Sequence, residues 1–429
     1  AAAQPPGYHR HVADSAKRRA FVDHAATAPL LAPAREAWLA ASESVGNPSS
    51  LHTSGRRARR IVEEARESIA DDLGTRPSAI VFTSGGTESD NLAVKGLFWA
   101  GRRRLGIDAP TVVSSSIEHH AVLDPVEWLV KHEGAAAYWL DVDSRARVRT
   151  DDLAGFLSEN AERTALVTVM WANNEVGTVQ PVAQIAQLCR EYSVPFHTDA
   201  VQALGQLPMH LSEVGATAVT ISGHKIGGPV GTGALIIDPY TTVEPVAHGG
   251  GQEREIRSGT LDAAGAAALA AAVHYAVEQQ GEHARHVAAL QSALVEGIRR
   301  EVPDAIINGA EPDDSITDGG RLPGNVHVSI PGAEGDALLM LLDAAGVDCS
   351  TGSACTAGIP EPSHVLLAMG VDERTARSSL RFSFGRTSTM DDVQAVVEAL
   401  PGVVERARRA GSVSASMHTS VGAVGGRAD

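Results

Sequence analysis

Lys225 ends the apolar run Ala218-Val219-Thr220-Ile221 and lies on the small-residue turn Ser222-Gly223-His224-Lys225, which leads into Ile226-Gly227-Gly228-Pro229. An amine held near apolar walls loses solvation, its pKa falls, and it can form a Schiff base with an aldehyde cofactor. Alone, the same lysine reads as a surface residue in a Gly-rich loop. Residues upstream shift the balance. Val194 to Ala200 reads as a strand ending in Asp199. An acid beside a pyridine nitrogen keeps that nitrogen protonated, so the ring acts as an electron sink. In isolation a strand-end Asp is as often a helix cap. Gln202 is placed to hydrogen-bond a phenolic oxygen on such a ring. Thr83-Ser84-Gly85-Gly86-Thr87-Glu88-Ser89-Asp90-Asn91 follows the strand-like Ile80-Val81-Phe82 and precedes the helical run Leu92 to Gly101. Small residues and donors at a helix start suit a phosphate. The run lacks the Gly-Lys-Ser/Thr ending of a Walker A loop, and its glycines are adjacent rather than spaced as in a dinucleotide fingerprint. Amine, acid and phosphate cradle together describe a pyridoxal-phosphate site.

Cys355 lies in Ser350-Thr351-Gly352-Ser353-Ala354-Cys355-Thr356-Ala357-Gly358-Ile359-Pro360. Nearly every neighbour is small or breaks helices, which predicts a flexible exposed loop. A thiol there is a poor core filler and a plausible nucleophile. Cys349, on the more apolar side, reads as structural, and Cys189 as a buried filler of the amphipathic run Val182 to Tyr192. These are the three cysteines of the chain. No pair has Cys-x-x-Cys spacing, and His119-His120 and His9-Arg10-His11 are not spaced as ligand sets, so no metal site is expected. Ser378-Ser379-Leu380-Arg381-Phe382-Ser383 places Arg381 on a strand among apolar residues. There it suits bidentate binding of a carboxylate, with a salt bridge to one of the chain's own acids as the plain alternative.

The elements that must carry these residues alternate. Strands are predicted at Ile80–Thr83, Thr111–Ser115, Ala137–Leu140, Ala165–Trp171, Pro195–Thr198, Ala218–Ile221 and Gly233–Ile237, with helices at Glu88–Arg103, Leu123–His132, Asp151–Glu159 and Val182–Tyr192. That pattern predicts an α/β domain with a mostly parallel sheet and helices on both faces. Ligands then bind outside the carboxyl ends of the strands, where Thr83 to Thr87, Asn174, Asp199 and Lys225 fall. After Thr260 the texture changes to two long Ala-rich helices, Leu261–Gln280 and Glu282–Glu301. Short strands at Ile306–Asn308, Val326–Ile330 and Leu380–Ser383 and helices at Glu334–Ala345 and Met390–Ala410 follow. The reading is a large cofactor domain over 31–274, and a smaller α+β domain formed by 1–30 with 275–429. About 1–19 and 412–429 are expected to be disordered.

A chain of 429 residues with 43% hydrophobic residues has room for two domains and a large core. Its apolar stretches fall short of the roughly 18–20 residues that span a bilayer. Ala1 to Arg19 lacks the apolar stretch of a secretory signal, so no membrane association and a cytoplasmic location are expected. A net charge of −16 argues against direct nucleic-acid binding, while an acidic surface can dock a basic protein.

Further segments join these. They are Phe21-Val22-Asp23-His24-Ala25-Ala26-Thr27-Ala28-Pro29, Gly46-Asn47-Pro48-Ser49-Ser50-Leu51-His52, Glu118-His119-His120-Ala121-Val122-Leu123, Asn173-Asn174-Glu175-Val176-Gly177, Gly249-Gly250-Gly251-Gln252-Glu253-Arg254 and Arg257-Ser258-Gly259-Thr260. From about Phe21 to Arg408 the chain resembles the cysteine desulfurases of the NifS/IscS type within the class V aminotransferase group. The long cysteine loop is similar to the IscS branch, and the wording around Trp171 and Cys349 to its actinobacterial members. Ala28 and His120 depart from the residues common there.

The resemblance implies the aspartate aminotransferase-like fold (fold type I) with a seven-stranded sheet, pyridoxal 5'-phosphate as cofactor, and conversion of L-cysteine to L-alanine with the sulfur left as a persulfide on Cys355. It implies that Lys225 binds the cofactor covalently and shuttles protons, and that His119 stacks on its ring and assists in acid–base steps. Asp199 would pair with the ring nitrogen and Gln202 with the phenolic oxygen. Gly86, Thr87, Ser222 and His224 would hold the phosphate, and Asn174 adjoins the cofactor. Thr260 would reach the phosphate of the other subunit of a homodimer. Asn174 and Arg381, with Asn47, would hold the substrate carboxylate. Iron–sulfur scaffold or tRNA-thiolation proteins would receive the sulfur; whether Cys355 ever ligates a cluster directly is left open. Selenocysteine lyase and class V aminotransferase activities are the rival enzymatic readings, and a non-catalytic scaffold or activator the rival from another class.

Overall fold

The structure is a computed structural model and describes residues 18–311, 320–352 and 361–422, with side chains as far as 410. After a two-residue strand, β1 (Ala20–Phe21), seven strands build the central sheet: β2 (Ile80–Thr83), β3 (Thr111–Ser115), β4 (Ala136–Leu140), β5 (Thr164–Thr168), β6 (Phe196–Asp199), β7 (Ala218–Ser222) and β8 (Gly233–Ile237). They lie in the order β2-β8-β7-β6-β5-β3-β4. All neighbours are parallel except β8, which runs antiparallel to both β2 and β7. Side chains alternate between faces, as a pleated strand requires. Ile80 and Phe82 face one apolar core and Val81 the other; Ile236 joins the first, Leu235 and Ile237 the second. Burial on both faces explains the near-continuous apolar runs in these strands.

A second core lies beyond the sheet. The helix Gln280–Glu301 and the helix beginning at Met390 pack Leu294, Ile298, Val396 and Leu400 against a small antiparallel sheet. That sheet consists of β9 (Ile306–Ile307), β10 (Asn325–Ser329) and, after β11 (Val347–Asp348), β12 (Ser379–Ser383), in the order β12-β10-β9. β1 pairs in parallel with β11, so Ala20 and Val22 belong to this core although they open the described chain.

Two long stretches depart from expectation. Ala32–Ser42 and Thr53–Leu73 are helices that the strand–helix alternation did not include. The second is rich in Arg and Glu, which reads as a solvated face. Its buried stripe is Ala58, Val62, Ala65, Ile69 and Leu73, at helical spacing. Part of each end expected to be disordered lies among the described residues. Arg18 pairs with Asp391 and Asp392 at 2.9 Å each, and Arg19 with Asp348 at 2.6 Å. The last helix runs to Gly422, through Pro401. Residues 1–17 and 423–429 lie outside the described residues. Among the described residues no helix is long and apolar enough to cross a membrane.

Candidate active site

β2, β6 and β7 end at one edge of the central sheet and deliver Thr83, Asp199 and Ser222 there. The chain after each strand turns into a cavity of about 420 Å³. Its lining includes Gly86, Thr87, His119, Asn174, Asp199 and Gln202, together with Ser222, His224, Lys225 and Arg381. Asn47 is not among these residues: its Oδ1 accepts from Ser49 N–H at 2.9 Å in an exposed turn. Thr260 lines a different, smaller cavity with Thr83 and Ser84. Its own chain therefore brings neither to the site. Cys355 lies outside the described residues, but Ser350 and Gly352 before it and His364 after it line the cavity.

The helix Gly86–Leu105 starts with Gly85 as its cap, and Gly85 has no side chain to satisfy the first amides. The first intrahelical bond at this end is Ser89 N–H to Gly85 O, so the N–H groups of Gly86, Thr87 and Glu88 are left for a ligand. A Cβ on Gly86 would stand 3.0 Å from Val201 Cγ2, closer than side chains ordinarily pack, so any side chain here would have to push Val201 aside. The entrance is fixed from behind. Glu253 pairs with Arg66 at 2.6 Å and accepts Phe82 N–H at 2.8 Å, all three being buried.

Lys225 Nζ donates to Ala25 O at 2.6 Å and Ala26 O at 2.8 Å. Burial, then the charge of Arg381, pushes its pKa down to about 8, opposed by Asp199 and Asp23. Asp199 Oδ1 accepts Val201 N–H at 2.8 Å. Burial raises the carboxyl's pKa, and that bond and Lys225 oppose the rise. Behind it lie Asp90 and Glu118. Burial raises both, Glu118 to about 8. Asp90 Oδ1 and Glu118 Oε2 are buried without a hydrogen-bond partner. His119 Nδ1 accepts Ala121 N–H at 3.0 Å, which leaves its proton on Nε2. The surrounding protein and Lys225 push its pKa to about 4, so the ring is neutral at pH 7. Gln202 Nε2 donates to Ala25 O at 2.9 Å, and His224 Nδ1 faces Thr27 Oγ1 at 3.2 Å.

Arg381 forms the salt bridge to one of the chain's own acids that was the plain alternative for it. One terminal nitrogen pairs with Asp23 at 2.7 Å and the other donates to Asn174 O at 2.9 Å, while Nε is buried with no partner. Asp23, the carbonyls of Ala25 and Ala26, Asp90 and Glu118 were not assigned roles from sequence. Their signal was present in the segment Phe21 to Pro29 and in the acid preceding His119, but a pairing between Asp23 and Arg381 needs the fold to bring distant residues together. The donor set fits pyridoxal 5'-phosphate: free helix-start amides with Ser222 and His224 for a phosphate, an acid for a ring nitrogen, and an amine between them.

Comparison with known proteins agrees. The class-V aminotransferase model matches residues 20–396. An "IscS-like cysteine desulfurase" of Mycobacterium tuberculosis is 53% identical over 396 residues, covering 92% of this chain and 99% of its own. The X-ray structure of a NifS-like protein from Rickettsia africae superposes with a TM-score of 0.79 at 30% identity, covering 90% of this chain and all of its own. A structure of SspA in complex with cysteine does so with a TM-score of 0.71 at 32% identity, covering 86% and 99%. A cofactor cavity at the strand ends and likeness along nearly the whole length lead to one assignment: the chain belongs to the class-V aminotransferase family, in its branch of IscS-like cysteine desulfurases.

Proposed function

We propose that this chain is a pyridoxal-phosphate-dependent cysteine desulfurase that takes L-cysteine, releases L-alanine and leaves the sulfur as a persulfide on Cys355. The observation that carries the reading is the single cavity gathering Lys225, Asp199, His119, the helix start at Gly86 and Arg381. Gly86, Thr87, Ser222 and His224 would hold the cofactor phosphate. Asp199 would pair with the ring nitrogen, Gln202 with the phenolic oxygen, and His119 would stack on the ring. When bound, the cofactor supplies an electron sink for charge that develops at the substrate α-carbon.

Lys225 takes the α-proton at Nζ and returns it. A pKa pushed down to about 8 keeps part of the amine neutral near that pH. Arg381 and Asn174 orient the substrate carboxylate, and the unpaired Nε of Arg381 is a donor still to be used. The Cys355 thiolate attacks the substrate sulfur: an S–S bond forms, the carbon–sulfur bond breaks, and its electron pair stays with the carbon. Protonation there completes alanine. L-Cysteine plus enzyme thiol thus becomes L-alanine plus persulfide, with no external oxidant. Support for Cys355 is its place in sequence between the cavity residues Gly352 and His364. The chain acts as a homodimer in which Thr260 reaches the partner's phosphate site, and it hands its sulfur to an iron–sulfur scaffold or tRNA-thiolation protein.

The test incubates the holoenzyme with L-cysteine and no keto acid, then measures alanine and, by mass spectrometry, protein-bound persulfide. Both should form, and Cys355→Ser should form neither. Turnover that persists in Cys355→Ser, or that requires a keto acid, overturns the reading.

A further inference from the structure

A second cavity of about 340 Å³ lies on the other side of Lys225, which lines both. The segment His24–Ala26 separates them: His24 faces the second cavity, Ala25 and Ala26 the first. The second cavity is lined by His24, His283, His286 and Arg386, beside Tyr275 and the exposed Glu282.

Its charges are not balanced internally. Arg386 is half-buried and donates to Pro29 O at 2.5 Å, with no carboxylate in ion-pair range among the described residues. Among the described residues no carboxylate, only the phenol of Tyr275, acts in its favour. The ring of His24 is buried, packed against Gly385, where a Cβ would fall 2.2 Å from its Nδ1. Neither His24 nor His283 hydrogen-bonds through its ring among the described residues. Arg386 disfavours protonation of both. The carboxylate that acts on His24, Asp392, is already held by Arg18 and Thr389. A fixed guanidinium and two unpartnered imidazoles around a space of this size constitute a demand for negative charge.

We propose that this second cavity is a binding site for a small carboxylate anion, held by Arg386 with His24 and His283 and separated from the catalytic cavity only by Lys225 and His24–Ala26. A carboxylate matches a guanidinium with two parallel hydrogen bonds, and neutral imidazole N–H groups can complete its shell. The site is distinct from Arg381, whose guanidinium faces the first cavity and is paired with Asp23. The inference does not rest on the desulfurase reading.

The test is calorimetric titration of the holoenzyme with succinate, and separately with inorganic phosphate. Wild type should bind succinate saturably. Arg381→Ala should keep that affinity within threefold, whereas Arg386→Gln should lose at least tenfold and His283→Gln at least threefold. His283→Gln removes no hydrogen bond from the protein, so it stays informative if Arg386→Gln folds poorly. The proposal is overturned if wild type shows no saturable succinate binding, if Arg381→Ala abolishes it, or if His283→Gln leaves it unchanged. Phosphate binding tighter than succinate overturns the carboxylate class.

Discussion

Arg381 and Arg386 lie on one short stretch of chain yet serve opposite sides of Lys225. Arg381 is buried, tied to Asp23 and Asn174, and shares its cavity with Asp90 and Asp199, two carboxyl groups whose protonation burial favours. Arg386 is half-buried, tied to a single carbonyl, and shares its cavity with His24 and His283, whose protonation burial disfavours. On the catalytic side the guanidinium is thus matched by a carboxylate of the chain's own, whereas the guanidinium on the other side has none among the described residues. A paired buried charge fixes geometry, and an unpaired one waits for a ligand.

The contrast can be broken most sharply at Lys225, the wall common to both cavities. Lys225→Ala should lower cysteine turnover by about 10⁴-fold, the upper end of what a positioned base contributes, and remove the covalently bound cofactor's absorbance. Retention of that absorbance would show that another residue carries the cofactor. Next come the arginine partners. Asp23→Ala strands the buried Arg381 guanidinium and should cost about 3 kcal/mol of folding stability by denaturant titration. Arg386→Ala gives up one bond to a carbonyl and should cost only about 1 kcal/mol. Equal losses would erase the distinction between the two sites. Arg381→Ala should raise KM for cysteine by an amount equivalent to about 1.5–3 kcal/mol, with a smaller change in kcat; an unchanged KM would make this arginine purely structural.

The smallest effect is on pH dependence. Burial pushes His24 and His283 from 6.5 down to about 4. Unfolded chains therefore bind protons between pH 6.5 and 4 that the folded chain refuses, and stability from these groups falls as pH drops through that window. Thermal melts of His283→Gln should show a shallower decline there than wild type. Parallel curves would mean that His283 is not shielded from water.

Much of the catalytic side was legible because its residues punctuate strands. Asp199 and Lys225 follow apolar runs too short for helices, and Gly85-Gly86-Thr87 marks a turn into one. The antiparallel direction of β8 was not legible, since an apolar run has the same composition in either direction. Nor was the second cavity, whose His24, Tyr275, His283 and Arg386 are scattered along the chain and carry no spacing signal. Asn47 shows how little a motif alone says about place: within its own chain its side chain closes a local turn and does not line the cavity.

The amine of Lys225 is gripped by the backbone oxygens of two alanines. Replacing either side chain leaves that grip in place, so a survey by point substitution would pass over Ala25 and Ala26 as inert. Removing one residue between Phe21 and Pro29 would shift both oxygens out of register while leaving every named catalytic side chain present. The length of this peptide, more than its lettering, is what the chemistry cannot spare.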